Sequence, residues 1–114
     1  MTEHTSSSTL AILARTIADR RSATADASYT KSLLEKGATH CARKFGEEAI
    51  EFVLASAGEG DDAVVSEAAD VLFHLLVTLD ARDVSIADVE AELTRRMGVS
   101  GHAEKAARLP KAVD

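Results

Sequence analysis

Residues 46–79 read GEEAIEFVLASAGEGDDAVVSEAADVLFHLLVTL, and two helical patterns meet inside this stretch. Apolar residues recur at Phe45, Ala49, Phe52 and Val53, with Cys41 before them, and again at Val64, Ala68, Val71, Leu72, Leu75 and Leu79. Steps of three and four are the spacing of one buried helix face. The break at GEGDD separates the two patterns, and Asp61 or Asp62 is expected to cap the second helix. The spacing therefore predicts helices over 39–57 and 63–81. So short a connection makes them antiparallel neighbours.

The same helices carry acids at fixed angles to their apolar faces. At about 100° per residue, Glu48 lies about 60° and Glu51 about 120° from Phe45. Glu67 and Asp70 repeat those offsets from Val64, in the same rotational sense. Glu47 falls on the outer side. Two facing antiparallel helices are related by a two-fold axis, so equal offsets land on one side of the pair. Counting out from Glu59, Glu51 is level with Glu67 and Glu48 with Asp70. Four carboxylates are thus expected on the rim of one groove, where like charges repel unless a cation or protons intervene. Oxygen-only ligands select a hard divalent ion, Mg²⁺ or Mn²⁺. A single Glu-x-x-Glu is ordinary exposed helix surface. Two pairs matched in angle and level favour a metal site. A di-iron bundle fits less well, since its helices normally offer Glu-x-x-His, whereas His74 lies four residues after Asp70. His74 is expected to border the acids as a satisfied, partly buried side chain.

The rest of the chain extends this all-α reading to a bundle of four to five antiparallel helices. Residues 1–8, polar and rich in Ser and Thr, are expected to be a loose N-terminus. Thr9 is a candidate cap for a helix with Leu10, Leu13, Ala14 and Ile17 on one face. YTKSLLEKG (29–37) reads as a short helix stopped by Gly37. Ser85 and Asp88 resemble a capping box before a last helix with Ile86, Val89, Leu93 and Met97. Residues 9–97 are read as one domain, and 98–114, in which Gly98 and Gly101 end regular helix, as a polar C-terminal tail. Aromatic residues are scarce and Trp is absent, so aliphatic side chains must build the core. A core of short helices is thin for 114 residues. Apolar residues on more than one helix side point to a homodimer, although Leu76 and Val77 packing under the first helix would also account for them.

Charge narrows the function. A net charge of −6 argues against a general nucleic-acid-binding surface. The single Cys41 cannot form an internal disulfide and reads as a buried, reduced thiol. No signal-peptide pattern opens the sequence and no apolar run is long enough to span a bilayer, so a cytoplasmic location without membrane partners is expected.

The acid pattern Glu47-Glu48-x-x-Glu51 with Glu67-x-x-Asp70 resembles the all-α, MazG-type nucleoside triphosphate pyrophosphatases. Further segments resemble one branch, the phosphoribosyl-ATP pyrophosphatases of histidine biosynthesis: SYTKSLLEKG (28–37), RKFGEEAIEFV (43–53), EAADVLFHLLVTL (67–79) and SGHAEKAAR (100–108). The resemblance runs in family order over residues 28–108. It implies Mg²⁺-dependent hydrolysis of phosphoribosyl-ATP to phosphoribosyl-AMP and pyrophosphate, with a small-molecule nucleotide as the partner. Carried over residue by residue, Glu48, Glu51, Glu67 and Asp70 would ligate the metal, and Glu47 would reach a water or a second ion. Lys31, Lys44, Lys105 and Arg108 would meet phosphates, the last two giving the C-terminal tail a part in substrate binding, and Ser28, Tyr29 and Thr30 would face substrate. Each has a plainer role: an ion pair to Glu48 for Lys44, surface solvation for the other cations, packing for Tyr29. Two other functions compete. One is a house-cleaning pyrophosphatase for other nucleotides; the other is a non-catalytic helical dimerisation protein whose acids serve solubility. The sequence shows neither a Ser/His/Asp arrangement nor a Gly-rich phosphate loop.

Overall fold

The computed structural model describes residues 8–98, and among them all regular structure is helical. Five α-helices follow in order: α1 (Thr9–Asp19), α2 (Tyr29–Glu35), α3 (Ala38–Gly58), α4 (Asp61–Ala81) and α5 (Ile86–Met97). A 3₁₀ turn, Arg20–Ser22, follows α1. The chain divides into two compact units between Val84 and Ser85.

The first unit is built on the α3–α4 hairpin, whose helices of 21 residues each pack mainly on one another. Only Glu59 and Gly60 separate them, so both helices run further than the pattern required. Gly60 is the N-cap of α4 and makes no side-chain cap bond. Asp61 or Asp62 was expected from sequence to cap the helix; both instead sit in its first turn, where a negative charge favours the positive end of the helix. A similar one-residue shift occurs at α1. Its cap is Ser8, whose Oγ accepts the Ala11 N–H at 3.2 Å, and Thr9 is already helical. Residues 1–7, read as loose, lie outside the described residues.

Helix α2 is short and held at both ends. Ser28 Oγ accepts the Lys31 N–H at 3.1 Å, and Gly37, at φ 94°, carries the chain from α2 directly into α3. That positive φ costs glycine little and a side-chain-bearing residue more. The C-terminus of α4 closes differently. Asp83, with φ 57°, donates its N–H to Asp80 O at 3.0 Å, and Val84 N–H reaches Leu79 O at 2.9 Å. This is a Schellman closure with Asp in glycine's usual place. Arg21 reinforces it: Nε meets Asp80 Oδ2 at 2.7 Å, and the guanidinium also donates to the Asp80 carbonyl and to Asp83 at 3.0 Å. Lys31 Nζ donates to Arg21 O at 2.6 Å. The 3₁₀ turn is thereby tied both to α4 and to α2.

The core lies where α1 and α2 cross the C-terminal half of α4. Ile17, Leu33, Cys41, Ala55, Leu76 and Val77 are its buried apolar residues. Leu76 and Val77 are therefore filled from within the chain. Cys41 is free and buried, donating to Leu33 O at 3.2 Å, and burial pushes its thiol pKa up. The N-terminal half of α4 packs chiefly against α3, so its outer face stays open: Val65 and Leu72 are exposed, as are Ile50, Val53 and Leu54 on α3. Val53 was expected in the core beside Phe52, yet it is 60% exposed. The reason is angular. The buried stripe of α3 is centred on Cys41, Phe52 and Ala55, and Val53 lies about 120° from Cys41 around the helix. Glu48, by contrast, falls within about 20° of that stripe's centre.

The second unit is α5. Ser85 Oγ accepts the Asp88 N–H at 3.1 Å, in the manner of a capping box. Glu92 pairs with Arg95 at 2.7 Å and Arg96 at 2.9 Å; these guanidinium groups lower its pKa to about 2. Gly98 is the C-cap; Gly101 and residues 99–114 lie outside the described residues.

Candidate metal centre and substrate site

Glu48 enters the site because its helix leaves it little alternative. Placed on the inward stripe of α3, its side chain is only 17% exposed. Glu67 and Asp70 approach from the facing side of α4. Oxygens of Glu48, Glu67 and Asp70 lie within 4.8 Å of one another, close enough to share one cation. Glu67 records the crowding: burial, then the negative charges of Asp70, Glu51, Glu48 and Glu59, push its pKa up. A carboxyl that resists losing its proton becomes a good ligand once positive charge is supplied.

The other sequence-nominated acids stand apart from that trio. Glu51 is exposed and outside the converging set, although its charge reaches Glu67. Glu47 points outward at 61% exposure and meets Lys44 at 3.7 Å. Lys44 pairs more closely with Glu48, at 3.3 Å, and that hydrogen bond, followed by the nearby Tyr29, raises the lysine's pKa.

The SYT segment divides its labour. Ser28 is the cap of α2, and Thr30 is buried in the fold. Lys31 is held by the Arg21 carbonyl, beside a cavity of about 220 Å³ lined with Arg21, Lys31, Leu34, Glu35 and Ala81. Only Tyr29 remains largely open, at 55% exposure. Lys105 and Arg108 lie outside the described residues. His74 differs from the expectation of a satisfied, partly buried side chain. It is 5% exposed, and its Nδ1 has no hydrogen-bond partner. Burial lowers its pKa, against the opposing pull of Glu48 and Asp70. Phe73, which sequence reasoning left unassigned, packs edge-on against His74 with ring centroids 5.0 Å apart. Its signal was faint, because an aromatic within a helical apolar run reads as core.

Comparison with known proteins matches this carboxylate-bearing hairpin to a family. The model for phosphoribosyl-ATP pyrophosphohydrolase matches residues 10–97. The chain belongs to that family. It is 55% identical over 100 residues to a phosphoribosyl-ATP pyrophosphatase of Azorhizobium caulinodans, covering 88% of this chain and 92% of the relative. It is 58% identical over 102 residues to the protein of that name from Dinoroseobacter shibae, covering 89% and 99%. Similarity to the Zymomonas mobilis phosphoribosyl-ATP pyrophosphatase, 50% over 107 residues, covers 94% and 99%. The matched region includes both acidic helices and the α2 segment. Across the described residues, no helix is long and apolar enough to cross a membrane.

Proposed function

We propose that Glu48, Glu67 and Asp70 hold Mg²⁺, with Mn²⁺ as a substitute, in a phosphoribosyl-ATP pyrophosphatase. The enzyme hydrolyses 1-(5-phosphoribosyl)-ATP to 1-(5-phosphoribosyl)-AMP and pyrophosphate, a step of histidine biosynthesis. Water adds across the anhydride between the α- and β-phosphates; one P–O bond forms, the bridging one breaks, and pyrophosphate leaves. The observation that carries the metal assignment is the convergence of three carboxylates, one of them held above its ordinary pKa. All-oxygen donors fit a hard divalent ion. When bound, such an ion supplies charge neutralisation for phosphate oxygens and Lewis acidity towards water.

The chain's own groups do the rest. Glu51, one turn beyond Glu48 and within electrostatic reach of Glu67, is assigned as a further ligand. Lys44, which pairs with Glu48 and Glu47, is assigned to a phosphate oxygen. Lys31, Lys105 and Arg108 are assigned to the remaining phosphate charge. A second copy of the chain covers the exposed Ile50, Val53, Leu54, Val65 and Leu72 and the apolar groove of about 260 Å³ between Phe52, Ala68, Val71 and Leu72. The cytoplasm, where small nucleotides are made and used, is the assigned location.

Pyrophosphate release from phosphoribosyl-ATP, measured with and without Mg²⁺, tests the reading. Activity should require the ion, exceed that on dUTP and dCTP, and be lost in Glu48→Gln and Asp70→Asn. Full activity and Mg²⁺ binding in both variants would rule out this metal site. Turnover of dUTP or dCTP alone would favour a house-cleaning role.

A further inference from the structure

Three rings meet beside the carboxylates. Tyr29 lies nearly parallel to Phe73, with centroids 6.3 Å apart and 19° between the planes, and edge-on to His74 at 6.2 Å and 86°. Phe73 and His74 close the corner at 5.0 Å and 82°. Behind Tyr29, Phe73 is half-buried and His74 almost wholly buried, yet more than half of Tyr29 itself faces outward. Burying that ring would have been favourable, but the chain holds it open. Its backbone is locked by the Ser28 cap, and Ser32 Oγ donates to Tyr29 O at 2.6 Å. The unpartnered His74 Nδ1 adds a cost that an apolar side chain would avoid. This corner is therefore not arranged for stability alone. Lys44 links it to the acids, pairing with Glu48 while close enough for its charge to couple with Tyr29 and His74.

We propose that the open face of Tyr29, backed by Phe73 and His74, is the stacking platform for the purine base of the nucleotide. The proposal deepens the reading above and depends on it only for the position of the phosphates. A flat, exposed ring next to an anion-handling centre matches a ligand with a flat base joined to a polyphosphate. Stacking is tolerant of base identity, because each base presents a π face. The platform therefore contributes affinity and orientation, while the polyphosphate is held at the acids.

The sequence has one Tyr and no Trp, so intrinsic tyrosine fluorescence reports Tyr29 alone. ATP and inorganic tripolyphosphate, each with Mg²⁺, are titrated into the protein while emission and binding heat are followed. ATP should quench Tyr29, whereas tripolyphosphate should bind without quenching. By calorimetry, Tyr29→Ala should weaken ATP about 5- to 150-fold and leave tripolyphosphate within about twofold; Tyr29→Phe should match the wild type on both. ATP that binds without changing Tyr29 emission overturns the platform, and so does an equal loss on both probes in Tyr29→Ala. If tripolyphosphate does not bind the wild type while ATP still quenches Tyr29, the metal-site reading fails and the platform stands.

Discussion

Glu67 and His74 are two titratable groups whose surroundings oppose their charged forms, and both opposing forces are measurable. Glu67 has its folded-state pKa raised by burial and neighbouring acids. The stability linked to it is complete below the unfolded-state value and is lost as pH rises through the folded value. Metal-free protein should therefore melt lower as pH rises out of the acid range, and Mg²⁺ should restore the loss. Glu67→Gln should raise the metal-free melting temperature at pH 7, abolish the Mg²⁺-dependent increase, and reduce turnover by more than about 100-fold. A drop in the metal-free melting temperature would contradict the repulsion argument. His74 works in the other direction on the pH axis. Its folded-state pKa lies below the ordinary 6.5 because burial disfavours the imidazolium. Its contribution is present above pH 6.5 and is lost as pH falls through the lower, folded value. Melting curves of His74→Phe should show a shallower decline on that acidic side than the wild type. At this scale the sequence was partly legible. The angular offsets of Glu48, Glu67 and Asp70 followed from helix geometry, because they are set by position along a rigid element. Whether Glu51 also turned inward was not, since a flexible side chain at a stripe's edge can take several rotamers.

Among the elements, α2 matters most for its size, because seven residues are too few to be stable alone. It persists because Ser28 caps one end, Gly37 turns the other, and Leu33 is buried. Removing the cap by Ser28→Ala should cost about 1 kcal/mol. Leu33→Ala should cost about 2–5 kcal/mol by leaving a cavity. Both are read from urea unfolding midpoints, and a Leu33→Ala effect no larger than the cap's would refute the packing argument. Arg21→Ala should stay at or below about 1 kcal/mol, because the guanidinium is half exposed and water screens its pairs. Helix caps illustrate how far local sequence carries. Ser85 was identifiable because its hydroxyl and the Asp88 amide lie within one turn. Ser8 was missed because Thr9 offers the same chemistry one position later, and only the start of the helical path distinguishes them. Asp61 and Asp62 were misread for the same reason: α4 begins two residues earlier than its first apolar residue.

For the whole molecule, the unresolved demand is the apolar surface of α3 and α4. Val53 and Val65 are each exposed by 60% or more, and such residues clustered on one side of a hairpin mark an interaction surface. With a second copy as its cover, light scattering should give twice the chain mass, and Val65→Glu should shift it to the monomer while α-helical circular dichroism is retained. A monomeric wild type would overturn the dimer assignment. Taken alone, the sequence determined the helical class, the α3–α4 hairpin and the shared flank of Glu48, Glu67 and Asp70. Periodicity and a short connection are local properties, and they leave few alternatives. Tertiary structure decided what those helices face. The crossing of α1 and α2 over one half of α4 buried Leu76 and Val77 but left Val65 and Leu72 open. It also placed Tyr29 against Phe73 and His74 beside Glu48. Residues so distant along the chain meet only when packing brings their elements together, and no spacing within either segment encodes that contact.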